Sequence, residues 1–214
     1  MLPLMLFLQH ALAKEEKKIA YLTFDDGPTL NTPHIVETLS RYNAKATFFV
    51  LEERIVLYPD YIKQIVHNGN SIGLHGISHS EAIYENETSP LEEMKKTEKT
   101  LRTLLGSGSK LVRVPFGSSY RLTKTQAKHL TDNGYIIWDW NVDPRDSVGT
   151  IIPQKVMDNL RRGLSSCKGS PVILLHDRKS TARLLPVMLD YLTKEGYTLA
   201  PISEKQTPLT RVLH

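Results

Sequence analysis

The sequence predicts an α/β fold in which about seven parallel strands close into a barrel within one domain. Short apolar runs alternate with amphipathic helical patterns, the order typical of a parallel sheet covered by helices. Reactive side chains follow several strands: Asp25 and Asp26 the first, His75 the third and His176 the sixth. Parallel strands bring such residues to one edge, but an open sheet with strands about 4.8 Å apart would spread them over roughly 20 Å. A closed barrel would instead bring these side chains together around one open end of the barrel.

The predicted strands and helices alternate along the chain. The predicted strands are Ile19–Phe24, Ala46–Val50, Ser71–Leu74, Leu111–Val114, Ile136–Asn141, Pro171–Leu175 and Thr198–Ala200. The predicted helices are Asn31–Tyr42, Pro59–Asn68, Pro90–Leu105, Thr123–Asn133, Pro153–Leu164 and Ala182–Glu195. Ser89-Pro90 followed by Glu92 indicates an N-cap, a first-turn proline and a capping-box acid. Asn133-Gly134 and Glu195-Gly196 indicate helix ends.

The 214 residues fit one domain, which we expect over residues 19–204, with a C-terminal tail over residues 205–214. An apolar run over residues 2–8 leads to the small-x-small pattern Ala11-Leu12-Ala13, which predicts a signal peptide over residues 1–13. A polar linker follows over residues 14–18. Because the run is too short to span a bilayer, we expect no stable membrane insertion. The expected location is secreted or cell-wall associated rather than cytoplasmic.

Composition excludes some partners. The formal charge is +4, and the basic residues are scattered without a dense run interleaved with aromatics, so we expect no nucleic-acid binding. A mild positive charge suits a protein that works near an anionic surface such as a cell wall. The single cysteine, Cys167, allows no intramolecular disulfide and is interpreted as a small core residue. We expect a monomer.

Two neighbouring acids and two histidines form a candidate metal site. Asp25 and Asp26 end a buried strand within TFDDGP, so one carboxylate can bind a metal ion while the other stays free as a base. His75 and His79 are four residues apart, which lets two imidazoles on one face of a helical turn share a cation. With Asp26 they make the ligand set that hydrolytic metal sites use. The alternatives are a polar turn capped by Asp26, and incidental histidines.

An arginine and an aromatic turn follow the fourth predicted strand. Arg113 can fix a neighbouring carboxylate by paired hydrogen bonds, although an isolated arginine is more often part of a surface ion pair. The Pro-Phe-Gly turn over residues 115–117 would leave the Phe116 N–H pointing outward.

Residues 138–147 bring two tryptophans and two further acids. Trp138 and Trp140 share one face of a strand, and we interpret them as core residues before ligand platforms. Asp143 or Asp146 could orient a catalytic histidine, and either could equally cap the next helix. That histidine would be His176. Small changes in the surroundings of a histidine move its pKa across neutrality, although a lone histidine at the end of a strand is more often structural.

These five segments resemble the polysaccharide deacetylase family, also called the NodB homology domain or carbohydrate esterase family 4. The resemblance runs from about Ile19 to Pro201 and rests on TFDDGP, H-x-x-x-H, R-x-P-F-G, the Asp-rich fourth segment and L-x-H, in the family's order. It implies a distorted (β/α) barrel. It also implies a hydrolase that removes N-acetyl groups from a polysaccharide.

The resemblance implies the reactive groups. Asp25 would be the general base and His176 the general acid. Asp26, His75 and His79 would be the metal ligands, which implies one divalent metal ion. Two imidazoles and a carboxylate suit Zn²⁺ first, and Co²⁺, Mn²⁺ or Fe²⁺ are also compatible.

The resemblance also implies supporting residues. Arg113 would orient Asp25, and Asp146 would support His176, with Asp143 as the second choice. The Phe116 N–H would help to hold the oxyanion, and Leu174 would line the acetyl pocket. The residues expected to contact substrate are Pro115, Phe116, Trp140, Asp143 and Leu174.

The chain departs from the family pattern at two positions. Ser147 stands where a tryptophan is common, which removes an aromatic wall and leaves the sugar-chain preference open, with Trp140 or a loop tyrosine as a replacement. Gly76 stands where serine or threonine is usual, which removes a loop-stabilising hydroxyl but no ligand.

The implied function is removal of N-acetyl groups from N-acetylglucosamine-type residues, with peptidoglycan favoured over chitin by the export pattern and the low cysteine content. A chitooligosaccharide deacetylase and an O-acetyl xylan esterase with the same site are the alternatives. A catalytically silent carbohydrate-binding protein is a third, against which the intact acid, base and ligands argue.

Overall fold

A computed structural model of the chain describes residues 18–211. The predicted signal peptide over residues 1–13 and most of the predicted linker lie outside these residues. The strands are β1 (Lys18–Gly27), β2 (Ala46–Val50), β3 (Ser71–Leu74), β4 (Leu111–Val112), β5 (Ile136–Ile137), β6 (Val172–His176) and β7 (Tyr197–Leu199). The helices are α1 (Thr32–Arg41), α2 (Glu52–Leu57), α3 (Pro59–His67), α4 (Ser89–Leu105), α5 (Ser118–Arg121), α6 (Lys124–Asp132), α7 (Pro153–Ser166) and α8 (Lys179–Lys194), with a 3-10 helix at Glu81–Tyr84.

The strands form one parallel sheet in the order β5-β4-β3-β2-β1-β6, with β7 paired to the first residues of β1. The two ends of this order meet because the chain continues past β5 to a parallel bridge between Val142 and Ile173 of β6. The Leu174 N–H donates to the Val142 carbonyl at 2.9 Å in the same contact. The sheet is therefore curled, and the predicted single-domain α/β barrel is confirmed.

Alternation along β1 separates two layers of core. Leu22 and Phe24 belong to the large cluster between the sheet and the surrounding helices. Tyr21 belongs to a smaller cluster with Phe49 of β2, on the other face of the sheet. Because side chains two residues apart on a strand share a face, Thr23 and Asp25 also point to that inner side. The strand thus delivers a carboxylate to the inside of the curled sheet.

The helices are amphipathic and bury one stripe against the sheet. In α7 the buried residues Val156, Leu160 and Leu164 recur every fourth position. Two short helices, α2 and α5, were not predicted, because they contain too few residues to show a helical period. Among the described residues no helix is long and apolar enough to span a membrane.

The predicted N-terminus of the fourth helix is wrong by one residue. Thr88 is the N-cap of α4, and Ser89 is already helical. Asn86 lies upstream and its side-chain oxygen accepts the N–H groups of Thr88 and Ser89 at 3.1 and 3.0 Å, so Ser89 is not needed as a cap. A reciprocal capping box forms instead at Thr123 and Gln126, at the start of α6.

The last described residues pack against the barrel. Leu209 is partly buried and packs against the inner hydrophobic cluster, and its carbonyl accepts the Asp139 N–H at 2.6 Å. The Arg211 N–H donates to the Asp139 carboxylate at 2.8 Å. Residues 209–211 of the expected tail therefore make specific contacts with the segment that follows β5.

Candidate active site

The carboxyl ends of the strands surround a cleft of about 320 Å³. The cleft contains most of the residues expected from the sequence. Its lining includes Asp25, Asp26, His75, His79, Phe116, Trp140, Asp143, Leu174 and His176. Closure of the sheet thus collects residues that are as many as 151 positions apart in the chain, Asp25 and His176.

Asp26, His75 and His79 converge on one point of this cleft. One ligand atom from each lies within 4.8 Å of the other two. Asp26 Oδ1 is 3.5 Å from His75 Nε2 and 3.7 Å from His79 Nε2. Ligands about 2.0 Å from a tetrahedral cation lie roughly 3.3 Å from one another, so the spacing matches a shared cation.

The expectation that the two histidines share a helical turn is wrong. His75 directly follows β3, and the next four residues form a loop in which His79 has a φ of 55°. This left-handed backbone brings the two imidazole centroids to 5.2 Å. The four-residue spacing therefore brings the two imidazoles together, but in a loop instead of a helical turn.

A glutamate holds this loop. Glu93 Oε2 accepts the Ile77 N–H at 2.8 Å. A Cβ atom at Gly76 would lie 2.8 Å from the same oxygen, and Gly76 has a φ of 89°, so a larger residue would be strained there. A carboxylate from α4 thus stabilises the loop where the family usually has a hydroxyl.

Two of the three converging atoms are buried polar atoms with no hydrogen-bond partner among the described residues, Asp26 Oδ1 and His75 Nε2. His75 Nδ1 lies 2.6 Å from the Arg113 carbonyl. A carbonyl only accepts, so Nδ1 carries the proton and the lone pair of Nε2 faces Asp26. Buried polar atoms without partners cost free energy unless a ligand satisfies them. The residues present therefore fit a bound cation.

The electrostatics of the cluster favour a positive charge. Burial would lower the pKa of His75, but Asp25 and Asp26 more than offset it and raise that pKa. Burial would raise the pKa of Asp26, but His75, His176 and His79 hold it well below its usual range. Burial and the neighbouring His75 lower the pKa of His79, which favours the neutral imidazole that a metal ion requires.

Arg113 is fully buried and holds the free carboxylate. Its Nη1 donates to Asp25 Oδ1 at 2.9 Å and to Thr23 Oγ1 at 2.6 Å. Its remaining nitrogens donate to the carbonyls of Trp138 at 3.1 Å and Asp139 at 3.0 Å. These four hydrogen bonds fix the guanidinium beside Asp25. The other carboxylate oxygen of Asp25, Oδ2, lies 3.9 Å from His75 Nε2.

His176 stands across the cleft and is held by Asp146. Asp146 accepts His176 Nδ1 and the His176 backbone N–H, both at 2.8 Å, and the Thr181 hydroxyl at 2.5 Å. Burial would lower the pKa of His176, but Asp146, followed by Asp25 and Asp26, raises it above its ordinary value. Of the two acids left open by the sequence, Asp146 contacts the histidine, and exposed Asp143 lines the cleft.

The outer wall of the cleft is partly aromatic. Phe116, with a φ of 64° and 38% exposed, lies edge-on to His79 at 4.5 Å between centroids. No hydrogen bond from the Phe116 N–H is found in residues 18–211. Trp140 lines the cleft, whereas Trp138 belongs to the inner core. Pro115 is buried and does not line the cleft; its carbonyl accepts the Tyr84 hydroxyl at 2.5 Å.

Three contacts in and beside the cleft were not expected from the sequence. Arg178 lines the cleft with its Nη2 3.7 Å from Asp26 Oδ2. Ser147 Oγ lies 3.4 Å from His176 Nε2. Asp177 is buried and accepts the Thr29 hydroxyl at 2.8 Å, which braces the turn after Asp26. The adjacency of Arg178 and Asp177 to His176 was the only available signal.

Comparison with known proteins decides the family. A model described as polysaccharide deacetylase matches residues 13–135 of this chain. The chain belongs to the polysaccharide deacetylase family. The YheN protein of Bacillus subtilis is 34% identical to this deacetylase over 214 residues, covering 95% of this chain and 74% of that protein. A peptidoglycan-N-acetylglucosamine deacetylase of Bacillus cereus is 31% identical over 201 residues, covering 89% of this chain and 71% of that protein.

The solved structures agree with the fold of the deacetylase. The crystal structure of a polysaccharide deacetylase from Bacillus cereus matches with a TM-score of 0.82 at 30% sequence identity. The match covers 90% of this chain and 96% of that one. The family resemblance and the barrel fold expected from the sequence are both confirmed.

Proposed function

We propose that this chain is a metal-dependent N-deacetylase that releases acetate from N-acetylglucosamine residues of peptidoglycan. The observation that carries the proposal is a pair of buried atoms, Asp26 Oδ1 and His75 Nε2, which have no hydrogen-bond partner within residues 18–211 and lie close to each other and to His79. A carboxylate, Asp25, and an imidazole, His176, line the same cleft. This is the minimum set for hydrolysis of an amide.

Asp26, His75 and His79 are proposed as the protein ligands of one divalent ion. When bound, the ion supplies Lewis-acid polarisation of the acetyl carbonyl and lowers the pKa of water. Zn²⁺ is the first choice for two imidazoles and a carboxylate, and Co²⁺, Mn²⁺ and Fe²⁺ suit the same donors. Three protein ligands leave positions open for water and substrate.

Asp25 is proposed as the general base. It removes a proton from the water that attacks the acetyl carbon, and Arg113 keeps the carboxylate oriented for this step through the 2.9 Å contact. The Phe116 N–H is proposed to donate to the oxygen that becomes negative as the carbon turns tetrahedral. Leu174 forms the apolar floor beside the acetyl methyl group.

His176 is proposed as the general acid. Its Nδ1 is held by Asp146, so the proton that it transfers is on Nε2. It gives this proton to the sugar nitrogen as the carbon–nitrogen bond breaks, so that the nitrogen leaves as a neutral amine instead of a strongly basic amide anion. The products are acetate and a glucosamine residue. Trp140 and Asp143 are proposed to contact the sugar, whereas the buried position of Pro115 favours a supporting role for it.

The substrate proposal rests on the relatives. The Bacillus cereus relative is named a peptidoglycan-N-acetylglucosamine deacetylase. Peptidoglycan lies outside the cytoplasm, so the proposal includes action at the cell wall, in agreement with the export pattern expected in residues 1–13. We propose no nucleic-acid partner and a monomeric enzyme.

Acetate release from defined substrates tests the proposal. Peptidoglycan, chitooligosaccharide and acetylxylan are incubated with the metal-loaded protein, with the chelated protein, and with the chelated protein restored by each of the four metals. We expect release from peptidoglycan, its loss on chelation and its return with metal. His79→Ala should abolish release, while His67→Ala, which removes an exposed histidine on α3, should not. Release that survives chelation, or none from any substrate, contradicts the proposal.

A further inference from the structure

A second concave surface lies beside the cleft, which we call the basic groove. It has a volume of about 420 Å³ and is lined by five residues of the loop before α7 and by one side of α7. The loop residues are Arg145, Val148, Thr150, Ile151 and Ile152. Its cationic lining residues are Arg145, Lys155 and Arg162. No role in the proposed deacetylation uses these side chains.

The basic groove and the cleft share a wall. The side chain of Val148 lines both, and it is 59% exposed. Along this loop Asp143 and Ser147 line the cleft, while Arg145 lines the groove. The groove and the cleft are therefore adjacent, with Val148 in the lining of each.

The shared wall is fixed to the helix behind it. Asn159 Nδ2 donates to the Pro144 carbonyl at 3.0 Å, and this joins the loop to α7. The Asp146 carboxylate holds the same loop to His176 on the other side. These two contacts fix the position of the loop, and with it the groove wall, relative to His176.

The three cationic side chains of the groove form no ion pair with the part of the chain that the structure describes. Within residues 18–211, none of the nitrogens of Arg145, Lys155 and Arg162 lies within 4.0 Å of a carboxylate oxygen. The one acid in the lining, Asp158, is already bound by Arg161 at 3.0 Å and by Gln154 at 2.9 Å. Three cations around a concavity raise the local concentration of anions.

We propose that the basic groove binds carboxylates carried by the sugar next to the one being deacetylated. This inference rests on the proposed function. In peptidoglycan that neighbour is a muramic acid residue, whose lactyl group carries a peptide with free carboxylates. The groove therefore selects glycan strands that still bear their peptides over neutral N-acetylglucosamine polymers.

The lining favours a peptide over a further sugar ring. None of the described residues that line the groove is an aromatic on which a sugar could stack. Its apolar residues are aliphatic, including Val148 and the 41% exposed Ile152, which suit peptide side chains. Arginine and lysine beside such walls are typical of carboxylate recognition.

The test compares two substrates that differ only in charge. A peptide-bearing glycan fragment is used with its carboxylates free and with the same carboxylates amidated. For the intact enzyme at low salt, we expect the ratio of kcat/KM for the free form to that for the amidated form to be about tenfold. Two exposed ion pairs contribute up to roughly fivefold each. Raising the ionic strength from about 0.01 to 1 M, which shortens the Debye length from about 30 to 3 Å, should bring the ratio close to one.

The variant Lys155→Gln/Arg162→Gln removes two groove cations, of which Arg162 also donates to Asn159 Oδ1 at 2.6 Å. A disturbance of the loop through this contact would lower kcat/KM for both forms of the fragment alike and leave their ratio unchanged. We expect the variant to lower the ratio to about one. The matched control Lys95→Gln/Lys128→Gln removes the same charge from exposed positions on α4 and α6 and should keep the tenfold ratio. An unchanged kcat/KM ratio in the groove variant, or an equal fall of the ratio in the control, contradicts the proposal that the groove binds carboxylates.

Direct binding separates this inference from the proposed function. Calorimetry measures the affinity for the free and the amidated fragment even if no acetate is released. The intact protein should bind the free form about tenfold more tightly than the amidated form, and the groove variant should bind both forms equally. If acetate is released but both forms bind equally, the groove proposal fails alone. If a glycerol phosphate oligomer displaces the free fragment at lower concentration than the fragment itself, the groove is a phosphate site and the carboxylate assignment is wrong.

Discussion

The two walls of the cleft differ in burial. On the inner wall, Asp25, His75 and Arg113 are at most 3% exposed, and their hydrogen bonds leave little freedom. On the outer wall, the loop over residues 143–152 is largely exposed, with Val148 59% exposed. Buried charges in fixed positions suit the chemical step, because a preorganised site needs no rearrangement during reaction. The exposed positions of this loop can vary without disturbing them, and one of the two departures from the family pattern, Ser147, lies in it.

The largest effect that tests this contrast comes from Arg113→Met. The substitution leaves the buried Asp25 carboxylate without its cation, and breaking a buried pair costs about 3–5 kcal/mol. We expect a loss of that size in the free energy of unfolding, measured by denaturant titration, together with loss of acetate release. The double variant Arg113→Met/Asp25→Asn removes the uncompensated charge and should recover part of the stability. Equal instability of the double variant would mean that packing, not charge, dominates.

Asp25→Asn tests the chemical role of the inner wall. Loss of a general base lowers kcat by about 10²–10⁴. Because Asp25 is not among the proposed ligands, we expect the variant to retain its metal. Steady-state kinetics with metal analysis of the same sample checks both expectations. Retained metal with full activity would remove Asp25 from the mechanism.

Asp146→Asn tests the link between the two walls. Asp146 raises the pKa of His176. The proposed general acid must be protonated to act, so we expect the enzyme to lose activity as the pH rises through that pKa. Removing the carboxylate lowers the pKa of His176, and the alkaline limb of the kcat profile should move to lower pH. We expect kcat at pH 8 to fall about 10–100-fold, part of what a general acid contributes. An alkaline limb that does not move would separate Asp146 from His176.

Gly117→Ala tests the outer wall with the smallest effect. Gly117 has a φ of 82°, and an added Cβ would lie 2.7 Å from Trp140 Cη2. The backbone strain costs about 1 kcal/mol, and the displaced Trp140 should raise KM more than it lowers kcat. Gly106→Ala is the control, because Gly106 has a φ of 79° but nothing within 4 Å of the added atom. It should lose similar stability with unchanged KM; equal changes in KM would show that Trp140 does not contact substrate.

The sequence predicts the inner wall better than the outer one. Asp25, His75 and His176 stand at the ends of strongly apolar strands, and parallel strands leave only one edge for such residues. The barrel is predicted for the same reason, because only a closed sheet brings these strand ends close together. Burial of the strands produces the apolar pattern in the sequence, and it also determines where the residues at the strand ends lie in the fold.

Local geometry in loops could not be predicted. The helical turn expected for His75 and His79 is a loop, because the left-handed φ of His79 has no signature in the residue type. Arg178 follows the fifth motif without any pattern that marks it, and it reaches Asp26 only because the strand order places β6 beside β1. The contacts of Leu209 depend on the inner cluster, which is a tertiary feature.

Titration of the metal-free protein with Zn²⁺ tests the central proposal most directly. If Asp26, His75 and His79 hold one ion, the intact chain binds one equivalent, His79→Ala weakens binding by at least about 100-fold, and Asp25→Asn and His176→Ala each still bind one equivalent. Undiminished binding by His79→Ala, or loss of binding in His176→Ala, would place the ion elsewhere and contradict the account.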